Sequence, residues 1–152
     1  MESILTAYVL PCLWAFFSCV GFGIVFNIQG VGVLICGGGA ALGWLAYLLA
    51  MDFFVNDIVS ALLAAMVIGA YSEIMARIRR CPVTGYLQVA LLPLVPGAGI
   101  YHAMQYFVMG RPSLFSSTLF HTLGFAAALS VGAMLSSSIL RVILPHIWHN
   151  RR

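Results

Sequence analysis

Five apolar stretches of bilayer length, separated by short polar breaks, constrain this chain more than any motif in it. The first runs from Ile4 to Phe26 and stops at Asn27-Ile28-Gln29-Gly30. The second covers Val31 to Met51 and ends at Asp52, and the third goes from Ile58 to Ala76, between Asn56-Asp57 and Arg77. The fourth spans Val83 to Met109 with an interruption at Pro93 to Gly99, and the fifth runs from Leu114 to Leu140. Each matches the roughly 20 helical residues that cross a hydrocarbon core of about 30 Å. Composition removes the alternatives. Only 7% of the residues are charged and 62% are apolar, whereas a soluble domain carries about 25% charged residues. Disorder requires low hydrophobicity, and no basic run interleaved with aromatics points to nucleic acid. The connections are too short to hold a soluble domain. The chain therefore reads as an all-α integral membrane protein, with residues 1–152 forming one transmembrane domain of five helices.

The charges orient it. All seven basic residues are arginines. With five spans, Arg77, Arg79, Arg80, Arg141, Arg151 and Arg152 share one side, and only Arg111 falls on the other, with Asp52, Asp57 and Glu2. Arginine excess marks the cytoplasmic face, so the N-terminus is expected outside and the C-terminus inside. Met1-Glu2-Ser3 lacks the basic segment of a signal peptide, so the first run is expected to persist in the mature protein. Cys12, Cys19, Cys36 and Cys81 show neither CxxC spacing nor a nearby paired histidine, and no metal or disulfide is expected.

Small residues recur at four-residue spacing: Gly124, Ala128, Gly132 and Ser136 in the fifth run, Ala61, Ala65 and Gly69 in the third, Gly39 and Gly43 in the second. Such stripes let backbones approach closely in a membrane. Packing within one bundle is the plain reading; with three stripes, some are also candidates to face another subunit.

The fourth run holds the strongest candidate for chemistry. Pro93 and Pro96 each remove a backbone donor, and Gly97 and Gly99 loosen the chain after them. A helix broken at membrane depth is tolerated when it is buried in protein or lines a cavity. Its second half then begins with free N–H groups and a positive dipole end. Tyr101, His102 and Gln105 follow at once and can donate hydrogen bonds, which suits an anionic ligand. A kink that only shapes packing is the alternative. Glu73 lies one turn before Arg77, so a local ion pair is its plain reading, although an intramembrane acid is also a functional candidate. His121, beside Thr118 and Thr122, reads either as a proton relay or as an interfacial hydrogen-bonding side chain. Asn27 closes the first run as a cap and completes the set of candidate relay groups, while His146 and His149 read as solvated tail residues. No nucleophile–base pair, P-loop or paired-carboxylate pattern is present, so neither an enzyme nor a cofactor is expected.

The segment Gly21 to Asn27, Gly43-Trp44-Leu45, the Gly69 region ending in Arg77, and above all Leu92-Pro93-Leu94-Val95-Pro96-Gly97 with Tyr101 resemble the threonine/serine exporter family. The resemblance covers roughly residues 15–140 and is to the short, membrane-only half, like the small subunit of a bacterial two-component succinate exporter. It implies a partner: a larger subunit of the same family that begins with a cytoplasmic domain, crosses five times and ends outside. The present chain starts outside by its arginines, so the two halves would be related by inverted topology. The expected function is a subunit of a bacterial inner-membrane secondary exporter of small carboxylates, a dicarboxylate such as succinate or threonine/serine. Pro93, Pro96, Gly97, Gly99, Tyr101, His102 and Gln105 would form its substrate site. The alternative is a non-transporting assembly subunit whose partner holds the site.

Overall fold

The computed structural model describes residues 5–148, with side-chain surroundings for residues 6–142. The expectations for Ile4, Glu2, His149, Arg151 and Arg152, and for the His146 side chain, lie outside the described residues. Every described element is helical. A widened π-type turn over Leu5–Val9 leads into α1, Leu10–Val25; it sits just before Pro11, which has no N–H to give to the ladder. Then come α2 (Gly32–Phe54), α3 (Asp57–Arg79), α4 (Val83–Leu91) with a 3₁₀ turn over Leu92–Leu94, α5 (Gly97–Val108) and α6 (Pro112–Trp148).

The helix ends follow local chemistry. Asn56 caps α3, its side-chain oxygen accepting from Ile58 N–H at 3.0 Å, and Asp57 adds an acid to the first turn, where the helix dipole favours it. Asn27, just past α1, takes a left-handed backbone with φ +57°, a conformation asparagine tolerates better than most residues. Three helices outrun their apolar runs. α2 continues past Asp52 to Phe54, α3 continues past Ala76 to Arg79, and α6 continues past Leu140 to Trp148, giving it 37 residues. Hydropathy sees only the apolar part of a helix, whereas the backbone ladder continues through charged residues near the water boundary. At 1.5 Å per residue α6 is about 55 Å long, well beyond a hydrocarbon core.

Four helices are each long and apolar enough to cross a membrane, and α4 with its 3₁₀ turn followed by α5 forms a pair bent by 52°. Whether that pair crosses or turns back is decided by the contacts between α3 and α6. A side chain at Gly124 would meet Ile58, one at Gly132 would meet Leu62 and Ala65, and one at Gly69 would meet Ser136. Arg141 then reaches Glu73. Residue numbers rise together on both helices, so α3 and α6 run parallel. A re-entrant pair would have made them antiparallel, so the bent pair carries the chain across and completes the five spans.

All three small-residue stripes turn inward. The α3 and α6 stripes pack on each other, while Gly39 and Gly43 of α2 receive Tyr71 and Ile68 of α3. The plain reading of the stripes, packing within one bundle, is what these contacts show, because the close approach of these helices uses all three within the chain. The core is built correspondingly of small residues, with Ala61, Ala64, Ala65 and Ala90 fully buried around Ile68. Trp44 packs against this cluster and against a second one around Cys19, Cys36 and Val89.

A candidate substrate site at the broken helix

The break is built by its two prolines. Pro93 sits in the 3₁₀ turn, and Val95, restrained by the following Pro96, takes an extended backbone with φ −61° and ψ 127°. No helical ladder survives an extended residue, so α5 starts afresh at Gly97. The Gly97 N–H turns back to the Val95 carbonyl at 2.7 Å, and Ile100 N–H reaches Pro96 O at 3.2 Å. The N–H groups of Ala98 and Gly99 are those that a helix start leaves over.

The two glycines differ. Gly97 is exposed, and no atom of the described residues stands where its side chain would be. At Gly99 an added Cβ would lie 2.5 Å from Thr122 Oγ1, so Gly99 is where α5 seats on α6. Thr122 is buried and donates to the Thr118 carbonyl at 2.7 Å, which fixes it against α5. The polar trio gathers within one turn of α5. His102 Nδ1 lies 3.4 Å from Gln105 Oε1, and the Tyr101 and His102 rings meet edge to face at 5.4 Å. Tyr101 is 65% exposed and His102 is exposed too. Pro93 faces the other way, into a cavity of about 430 Å³ shared with Leu10, Pro11, Trp14, Ala15, Ser18 and Trp44. The Trp44 indole Nε1 is buried and has no hydrogen-bond partner, an arrangement that folded proteins rarely leave unexplained.

The three candidate relay residues lie apart from this trio. Glu73, 2% exposed, pairs with Arg77 Nε at 3.6 Å and with Arg141 Nε at 3.3 Å. The local ion pair is present, and α6 adds a second arginine to it. His121 Nε2 stands 3.8 Å from Asp57 Oδ2, while the Tyr47 hydroxyl donates to Asp57 Oδ1 at 2.9 Å. Asn27 is exposed at the end of α1, in the capping conformation already described.

Sequence reasoning missed Trp44, Asp57, Tyr47 and Arg141. Only Arg141 carried a usable signal. Aligning the Ala61-Ala65-Gly69 stripe with Gly124-Ala128-Gly132-Ser136 places the next turn of α3, Glu73, beside the residues following Ser136. The others depend on contacts between helices that periodicity does not encode. The family described as Threonine/Serine exporter, ThrE, matches the chain over residues 11–139. No match was found among curated proteins or among solved structures.

Proposed function

This chain belongs to the threonine/serine exporter family, and from that premise we propose that it is the membrane-only half of a bacterial inner-membrane exporter of small carboxylates, working with a larger subunit of the same family. Membership makes it a multi-pass protein of a transporter family, not of an enzyme family. The finer reading rests on one observation. The helix breaks between Leu94 and Gly97, and among the described residues nothing covers the outer side of the break: Val95, Gly97, Ala98, Tyr101 and His102 are all exposed. Irregular backbone and a polar cluster do not face lipid. This supports a second protein surface there, and the space between the two is where a substrate would sit.

The chemistry of that space suits a carboxylate. Donors from the first turn of α5, the Tyr101 hydroxyl and the His102–Gln105 pair converge from one side, at the positive end of a half-helix. Inverted topology of the two halves, with this chain's N-terminus outside, would place the break at the centre of the complex.

The test is reconstitution in liposomes of the chain alone and of the chain with its larger partner, loaded with labelled threonine or succinate. Transport is expected from the pair. Tyr101→Phe in the pair should weaken apparent substrate affinity by roughly five- to a hundredfold, the equivalent of about 1–3 kcal/mol for a hydrogen bond to a charged group. Full transport by the partner without this chain would instead make it an assembly subunit.

A further inference from the structure

Asp57 is explained only in part by its place at the start of α3. An acid there suits the helix dipole, but the dipole does not call for side chains from two other helices. The Tyr47 hydroxyl arrives from α2 and donates to Oδ1, and the His121 Nε2 arrives from α6 at 3.8 Å from Oδ2. Each carboxylate oxygen thus has its own partner. Among the described residues no arginine forms an ion pair with Asp57, and the other acid at this end, Asp52, accepts from Tyr8 of the π-type turn before α1. The side chains of His121 and Asp57 are 56% and 40% exposed, so the described residues seal off neither.

The position along α6 gives the pair its meaning. His121 is followed immediately by Thr122, the buried residue on which Gly99 of the broken helix rests. One residue meets the acid of α3 and its neighbour meets the first turn of α5. We infer that Asp57 and His121 form a proton-binding pair, with Tyr47 holding the carboxylate, and that its occupancy biases the seating of the broken helix. This inference rests on the exporter reading and names the site that would couple it to a proton gradient. A proton taken from water converts the imidazole to imidazolium, and the pair passes from net charge −1 to neutral. Only an N–H bond forms, and it breaks again when the proton leaves. Histidine is suited to the task because its charge changes near neutral pH. Attraction to Asp57 is strong when the ring is protonated and weak when it is not, so the first turns of α6, ahead of the packed stripe, are drawn toward Asp57 or released, carrying Thr122 with them.

The experiment compares two modes of transport by the complete exporter in liposomes. Counterflow of labelled threonine or succinate between equal pools needs no proton. Accumulation against a gradient, driven by an imposed pH difference, does. Asp57→Asn and His121→Gln should keep counterflow and lose pH-driven accumulation by about tenfold, within the usual span of coupling between two sites. Asp57→Glu, which keeps the carboxylate, should restore it. Retention of pH-driven accumulation by both variants overturns the inference. Loss of counterflow as well, in variants that purify and assemble normally, also overturns it, since the pair would then hold substrate. A wild-type complex without counterflow sinks the exporter reading itself, and this inference with it.

Discussion

Gly97 and Gly99, two residues apart, have different reasons to be glycine. Gly97 opens outward, so a Cβ there touches none of the described residues. Gly99 lies against Thr122, and any side chain would force α5 off α6. The pair of substitutions therefore separates site from scaffold. Gly97→Leu should leave the melting temperature of the purified chain within a few degrees of wild type, yet reduce transport by the complex, because the bulk enters the space that a substrate or partner needs. Gly99→Leu should lower the melting temperature outright, since overpacking against a fixed neighbour typically costs about 1–3 kcal/mol. Equal thermal stability with equal transport for Gly97→Leu would show that the break is a kink and nothing more.

At the scale of the elements, the α3–α6 contact is the main joint of the bundle. Its backbones meet closely enough that a Cβ on Gly132 would run into the Leu62 carbonyl. Carbonyl groups held in a helix ladder cannot move aside as a side-chain end can. Gly132→Leu is therefore expected to cost at least about 3 kcal/mol and to lower the yield of folded chain. Detergent melting curves of the chain without any partner would check this. An unchanged curve, with only partner binding lost, would return that stripe to an intersubunit role. The same joint explains Glu73. Once the two stripes are in register, an acid on α3 and Arg141 on α6 arrive together at the end of the contact, and the long arginine stem lets its guanidinium reach both the acid and water.

For the whole molecule, parallel α3 and α6 require a crossing between them, so α3 ends and α6 begins on opposite faces. The arginine excess then assigns them: the side holding Arg77, Arg79 and Arg80 should be cytoplasmic. A reporter fused after Arg152 should be active in the cytoplasm, and one inserted at Asn56 should be active outside. Cys81, exposed beside Arg80, gives an independent check, since an impermeant thiol reagent should reach it only from the arginine-bearing side, while buried Cys19 and Cys36 should stay unreactive. Both reporters on one face would contradict the five-span count.

The sequence by itself determined that this chain crosses a membrane, where its apolar runs lie, and where the fourth of them breaks. Those features are local: hydrocarbon length sets each span, and Pro93 and Pro96 interrupt a ladder wherever they stand. It also marked the small-residue stripes, and with them the faces that touch. Only the tertiary structure decided which stripe meets which, that Gly99 is a seat and Gly97 an opening, and that Asp57 meets His121 and Tyr47. Each of these depends on the rotation and depth of one helix against another. In a bilayer the apolar pattern does not fix that rotation, because lipid and protein interior are equally apolar.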